Sequence, residues 1–401
     1  MPVLESRPVA VTLRFVDELA GLEPLRSFWV AHQQHPNVEF EFYQEVIRQR
    51  APRVRPLVMV WEQAEQPVAL LAGRIEEERE PIRFGYRTWP GLRRRMFCSV
   101  TGGLLGEIEP GRTLPALATA LERYRLDYAV LSNLPVGSPL GAAMEKQLPA
   151  WRRDHAARTN AHWQMSLPAT YEEFLGRRKK KHRYWLQRLG RVLERDFPGR
   201  VRLARFRDPA TVEEFCRDAA RLSARTYQRQ LGAGFTGNKE TRRHCASLAA
   251  DGRLRGYILY VDEEPRAYWL AAVIGRTLFL FSTGYDPDFR KYEVGTVLFL
   301  EMIADACREG LVRVDFGLGA AAYKERFGDE HWEEKHFYIF APTWRGALLN
   351  GQLTVNRLVE NSARWALAQA QLVAKTKRAW RQKLAKSDTA PGNTARDDSA
   401  D

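Results

Sequence analysis

Two cations, Arg290 and Lys291, stand just upstream of Gly295 and Thr296, and an apolar run follows them to Ile303. Residues of those types in that order suit an anion. The flanking pattern predicts a strand ending near Tyr285 and a helix beginning near Gly295. The first amides of such a helix have no partner inside it and lie at the positive end of its dipole. Gly295 lets an anion reach the backbone with no Cβ in the way, Thr296 adds a hydroxyl donor, and Arg290 and Lys291 supply countercharge. Pyrophosphate binding is the chemistry this favours. The same residues would also serve an ordinary helix start with surface cations, and spacing alone does not separate the two.

The elements around that loop occur twice. Val58 to Ala72 and Tyr257 to Ala271 are both apolar alternating runs interrupted by the pattern E-x-P-x-A, at Glu65 to Ala69 and Glu263 to Ala267. Proline in each is placed at a turn, where its missing N–H costs no ladder bond. Each hairpin is preceded by helical segments and followed by a helix that leads into a strand: Leu114 to Tyr124 then Tyr128 to Ser132, and Val297 to Cys307 then Val312 to Phe316. This order predicts a duplicated α/β (α+β) unit with mixed sheets flanked by helices. The expected divisions are 1–165, 166–345, a basic amphipathic helical tail over 346–386 and a disordered end over 387–401.

Between the halves, Thr170 as N-cap and Glu173 as its capping-box partner begin a helix expected to run from Tyr171 to Asp196. Its apolar face carries Leu175, Trp185, Leu186, Leu189 and Leu193; its other face carries Arg177, Lys179, Lys180, Lys181, Arg183, Arg188 and Arg191. Such a face is either simply solvated or a groove for phosphates. In the tail, Val355, Leu358, Trp365, Leu372 and Trp380 recur amid Lys and Arg. Packing back onto the domain or peripheral contact with an anionic membrane would both use that pattern.

Lys and Arg number 62 against 49 Asp and Glu, a formal charge of +13. This favours a phosphorylated or polyanionic partner, nucleic acid among them, without choosing the fold. The four cysteines, Cys98, Cys216, Cys245 and Cys307, show neither metal-ligand pairing nor a disulfide framework, so no metal is expected. A cytoplasmic setting fits those thiols and the lack of a visible secretory signal. The most membrane-like window, 267–285, is cut by Gly275-Arg276-Thr277 and reads as two strands joined by a turn.

The segments Tyr285-D-P-D-F-R-K-Y-E-V-G-T296, Arg313-V-D-F-G-L-G319, Tyr323-Lys324 and Phe327 together resemble the GNAT superfamily of acyl-CoA-dependent N-acyltransferases, most of all its CelD-type branch associated with exopolysaccharide biosynthesis. With the duplication, the resemblance extends over about Val11 to Pro342. It implies tandem GNAT-like units of which the second binds acyl-CoA through Tyr285, Arg290, Lys291, Gly295 and Thr296. It also implies a backbone oxyanion donor near Ser282 to Tyr285 and Tyr323 as the acid that protonates the departing thiolate. Asp315, at a strand exit, is a candidate base, with Asp286 a second. Lys324 would anchor an acidic acceptor or pair with Asp315, and a plain Asp315–Lys324 ion pair with a packing Tyr323 is the structural alternative.

One position departs from the pattern: Glu293 stands where the superfamily loop has its first glycine. A carboxylate there repels pyrophosphate unless it turns away. Gly317-L-G-A-A-A322 imitates a dinucleotide fingerprint, but no crossover helix to a further parallel strand follows it. The function expected is therefore transfer of an acyl group to an amine of an amino sugar, polysaccharide precursor or related small molecule. Two other readings stay open. One is a Fem-type transferase fed by aminoacyl-tRNA; the other is a non-catalytic polyanion-binding protein on the same fold.

Overall fold

In a computed structural model, residues 10–84, 87–107, 109–154, 157–225, 234–319, 321–362 and 365 are described. The first half runs β1 (Thr12–Val16), α1 (Arg26–His32), α2 (Phe40–Arg50), β2 (Val54–Gln63), β3 (Gln66–Phe84), β4 (Arg87–Gly106), α3 (Pro110–Arg123), β5 (Tyr128–Pro135), α4 (Pro139–Gln147) and β6 (Thr159–Ser166). The second runs α5 (Tyr171–Gly176), α6 (Lys180–Asp196), β7 (Val201–Phe206), α7 (Val212–Ala224), α8 (Lys239–Ala250), β8 (Leu254–Val261), β9 (Glu264–Ile274), β10 (Thr277–Tyr285), α9 (Val294–Arg308), β11 (Arg313–Leu318), α10 (Ala322–Phe327) and β12 (Glu330–Phe340). A helix over 344–362 follows.

The two hairpins repeat each other residue for residue. Ala64-Glu65 and Asp262-Glu263 are both left-handed pairs, as a two-residue hairpin turn requires. Gln63 pairs with Gln66 and Val261 with Glu264, and each hairpin carries a register irregularity facing its proline. Alternation then buries both faces of each sheet half. Met59, Trp61 and Leu71 meet α3 and α4, while Val58, Val60 and Leu70 meet α1 and α2. Likewise Leu259 and Trp269 lie in the core that holds α9, and Ile258 and Leu270 in the core that holds α7 and α8.

All twelve strands form one sheet, in the order β1-β2-β3-β4-β5-β12-β6-β11-β10-β9-β8-β7. The last strand of each half is exchanged: β6 pairs with β11, β12 pairs with β5, and β6 and β12 pair with each other across the seam. The expected division after residue 165 therefore falls at the end of a strand whose ladder partners belong to the second half. The turn at Gly275-Arg276 separates β9 from β10, and among the described residues no helix is long and apolar enough to cross a membrane.

The expected helix from Tyr171 to Asp196 is two helices. Thr170 does cap the first, accepting the Glu173 N–H at 3.2 Å. The chain leaves helical conformation at Lys179, ψ 144°, and beside the break Arg178 turns inward over the rings of Phe174 and Phe327 and donates to the Phe327 carbonyl. Of the expected tail, 344–362 is helical with Leu349 and Leu353 buried against Met96, Tyr128 and Phe340. Leu372, Trp380 and the span 387–401 lie outside the described residues.

Candidate active site

Parallel strands β10 and β11 share only three register pairs, Thr277–Phe279 with Arg313–Asp315, and then diverge. A bulge at Leu280/Ser282 and another at Asp315/Gly317 turn each strand as it leaves. Two cavities flank this opening, one on each face of the sheet. One, of about 390 Å³, lies toward α9 and is lined by Trp269, Thr283, Tyr285, Arg290, Gly295, Thr296, Tyr323 and Arg326. The other, of about 1030 Å³, lies between the halves and is lined by residues of both. On β10 the lining passes from Phe281 in the larger to Thr283 in the smaller.

The smaller cavity gathers four of the five residues expected to bind the anion. The N–H groups of Val294 and Gly295 have no partner among the described residues, whereas those of Thr296 and Val297 are turned back to the Glu293 carbonyl. A Cβ on Gly295 would touch only the Tyr285 side chain, at 3.7 to 3.9 Å, so the space it leaves open is the cavity itself. Lys291 does not belong to it. Its ammonium lies over the Tyr292 ring, 4.7 Å from the centroid, because it is the next residue of a short turn that points Arg290 inward.

Glu293 takes the left-handed conformation, φ 51° and ψ 40°, in which a glycine would be unstrained. Its Oε2 accepts from the Thr296 hydroxyl at 2.9 Å and lies 3.4 Å from Arg326. The carboxylate therefore lines the cavity with a cation beside it, and engages the hydroxyl that was expected to face the anion.

Tyr323 stands on the same cavity, edge-on to Trp269 and Phe316. Burial raises its phenol to about 12, so it is a neutral proton donor at physiological pH. Asp286 is different. Fully buried, it accepts from Arg266 at 2.7 Å, pairs with Arg225 at 3.1 Å and caps the turn at Asp288. Its oxygens are committed to holding the loop, which removes it as a base.

Lys324 and Asp315 do not pair with each other. The Lys324 ammonium donates to the carbonyls of Leu318 (2.6 Å) and Gly317 (3.2 Å), and burial lowers it to about 8 against the opposing pull of Asp315. It ties down the turn after β11 and is no anchor for an acceptor. Asp315 instead receives His162 Nε2 at 2.9 and 3.0 Å, Gln164 at 2.8 Å and the Gly317 N–H at 2.7 Å. Burial would raise its pKa, but these donors outweigh it and hold the carboxyl below the usual carboxylate range. With its oxygens so occupied, Asp315 is a poor proton acceptor.

The residue that Asp315 serves is His162, invisible as a site residue in the sequence because its partners lie about 150 and 170 positions away. Its Nδ1 is 3.0 Å from Glu334 Oε1, and its ring stacks on Trp332 at 4.5 Å. Burial alone would lower the imidazole; the two carboxylates prevail and raise it to about 9. A buried imidazolium thus lies between two carboxylates at the floor of the larger cavity. The carboxylates approach different ring nitrogens, so the three groups do not converge on a common metal position. Glu334 Oε1 also accepts from Trp332 at 2.8 Å, while Oε2 has no partner among the described residues.

The fold is a mixed α/β sheet flanked by helices, and part of the second half matches a known family. Residues 180–325 match the family described as an acetyltransferase (GNAT) domain. No curated protein matches the chain's sequence. Among solved structures, FemX shares 10% identity at a TM-score of 0.52, over 79% of this chain and 95% of that one. A conserved protein of unknown function from Bacteroides thetaiotaomicron shares 13% at 0.50, over 82% and 100%. These likenesses show a shared fold over most of the chain.

Proposed function

We propose that the protein is an acyl-CoA-dependent N-acyltransferase whose donor occupies the α9 cavity and whose acceptor amine enters from the cleft between the halves. The observation that carries this reading is that two chemically different cavities flank the opening between β10 and β11, their linings two residues apart on β10. On the donor side, Arg290 and the free amides of Val294 and Gly295 suit a pyrophosphate. Backbone N–H groups of β10 near Ser282 to Tyr285 suit the carbonyl oxygen that becomes negative on attack.

On the acceptor side, the imidazolium and its two carboxylates carry a net negative charge, which draws an ammonium. Glu334 Oε2 takes a proton from it, leaving a neutral amine to attack the thioester carbon. As the new C–N bond forms and the C–S bond breaks, Tyr323 gives its proton to the thiolate, the new amide nitrogen sheds its second proton to water, and the Tyr323 phenolate recovers a proton from solvent. His162, already protonated, orients Glu334 and Asp315 and is not itself the base. Gln34, Asn37, Asn133 and Gln164 supply amides and Phe279 and Trp332 supply ring faces. That lining suits a polyhydroxylated carrier and favours an amino sugar or polysaccharide precursor, as the CelD-type resemblance implies.

Calorimetry with acetyl-CoA and longer acyl-CoAs tests the reading. Binding is expected in the wild type and a loss of about 100- to 1000-fold in Gly295→Asp, because a second negative charge near 4 Å repels by about 4 kcal/mol at an effective dielectric of 20. Circular dichroism should be unchanged, since a Cβ at this position approaches nothing more closely than the Tyr285 side chain at 3.7 Å, an ordinary contact. Equal affinity in the folded variant would remove the donor site from this cavity.

One observation favours the Fem-type alternative. Arg177, Lys179, Lys180 and Lys181 make no ion pair among the described residues, and α6, which begins at Lys180, packs His182 on Phe327 and Trp185 under Arg326, at the rim of the donor cavity. If aminoacyl-tRNA is the donor, transfer falls steeply with salt, by just under one logarithmic unit per phosphate contact, and is lost on charge reversal of the three lysines. With acyl-CoA as donor, that charge reversal leaves activity intact.

A further inference from the structure

Helix 344–362 is apolar on both sides. One side is accounted for: Leu349 and Leu353 are buried against β4, β5 and β12, and Asn350 donates to the carbonyls of Trp151 and Arg153. The other side carries Trp344, Leu348, Val355, Leu358 and, just past the helix, Trp365, each between 49% and 73% exposed. At 3.6 residues per turn these five fall within an arc of about 100°. A surface helix normally turns such a stripe inward; here it faces solvent opposite a stripe that is already buried.

Cations lie at both ends of this stripe. At its start, Arg345 donates to the Arg93 carbonyl and pairs with Asp127, which sets the first turn beside a net-basic concavity where Arg53, Arg79, Arg93, Arg94, Arg95 and Arg345 outnumber Glu77, Glu78 and Asp127. The neighbouring strand β4 exposes Trp89 and Leu92. At its end, the sequence from Ala366 to Lys386 contains Lys375, Lys377, Arg378, Arg381, Lys383 and Lys386 and no Asp or Glu.

We infer that this face seats on an anionic lipid surface, with the five apolar side chains entering the boundary between headgroups and acyl chains and the flanking arginines and lysines engaging lipid phosphates. Indole rings suit that boundary, since each joins a large apolar body to one N–H donor. Charge argues for lipid over a second copy of the chain. A twofold contact through this stripe would bring together two concavities in which six arginines outnumber Glu77, Glu78 and Asp127, together with two basic continuations, so like charge predominates on both sides. The inference stands on a surface remote from the donor cavity and does not depend on the proposed reaction.

The test is sedimentation of the full chain with vesicles of phosphatidylcholine alone and of phosphatidylcholine containing about one part in three phosphatidylglycerol, with tryptophan emission followed in parallel. The expected result is binding to the anionic vesicles at least about tenfold tighter than to the neutral ones, a blue-shifted emission, and weakening with salt. A Trp344→Glu, Leu358→Glu double variant should lose at least about tenfold of that binding at an unchanged melting temperature, because both side chains are exposed. Failure of the wild type to sediment with either vesicle overturns the inference. So does equal binding to both, a dimer that the double variant dissolves, or a vesicle-free monomer in which hydroxyl-radical footprinting finds the stripe covered by the chain's own continuation.

Discussion

The parallel pairs β4–β5 and β10–β11 begin alike and end differently. Each holds three register pairs before the strands part, Met96–Cys98 with Tyr128–Val130 in the first half and Thr277–Phe279 with Arg313–Asp315 in the second. In the first half the gap is then bridged by side chains: the Ser132 N–H donates to Ser99 Oγ and Asn133 Nδ2 to Thr101 Oγ1, both at 2.9 Å. In the second, no hydrogen bond among the described residues joins β10 beyond Phe279 to β11 beyond Asp315. The helices that follow diverge as well. Before α3 stands Glu109, paired with Arg112, and Pro110 starts the helix; before α9 stand Arg290 and a Glu293 held by Arg326, with Gly295 in the first turn. A few polar side chains and one glycine thus separate a closed seam from an open one on the same backbone plan.

If the open seam is where chemistry occurs, Tyr323→Phe should lower kcat by about 10² to 10⁴ with acyl-CoA affinity unchanged, since only the proton donor is removed. Wild-type turnover in this variant would return Tyr323 to packing against Trp269 and make the two seams equivalent in function. This is the largest effect expected.

The next concerns His162, which joins the exchanged strands at the open seam. Its imidazole is raised from an ordinary 6.5 to about 9. The stabilisation this represents, about 3 kcal/mol at most from a shift of that size, is fully present below pH 6.5 and is lost as pH rises through about 9. Urea unfolding at pH 6 and at pH 9 should show this loss in the wild type and a reduced one in Glu334→Gln, where one carboxylate partner is neutral. An imidazole resonance titrating near 6.5 would show that the carboxylates do not hold the proton.

The smallest effect expected is from Glu293→Gly, which gives the loop the residue its left-handed backbone favours and removes the carboxylate from the cavity. Acyl-CoA affinity should rise about two- to tenfold, with stability changed by no more than about 1 kcal/mol, because relief of strain and the added freedom of the unfolded chain oppose each other. Unchanged affinity would show that Arg326 already neutralises Glu293, and the comparison between the two helix starts would then rest on Arg290 and Gly295 alone.

Patterns that act over a few residues were legible in the sequence. The hairpins at Glu65 and Glu263, the cap at Thr170, the strand–loop–helix around Gly295 and the duplicated order all follow from alternation, turn chemistry and helical spacing, which depend on near neighbours. Arg290 and Gly295 could be placed together because one loop carries them, whereas Tyr323 joined them only through the family resemblance. Which side chains meet across the sheet was decided only by tertiary structure. Asp315 and Lys324 looked like a pair because they are nine residues apart, yet strand alternation and the bulge at Asp315/Gly317 send Asp315 into the cleft while the Lys324 ammonium turns back to the carbonyls of its own turn. Asp286 looked available because its arginine partners, Arg225 and Arg266, come from other elements. His162, Asp315 and Glu334 become one charged unit because β6, β11 and β12 come together where the terminal strands exchange, and no local pattern encodes a contact between residues so far apart in the chain.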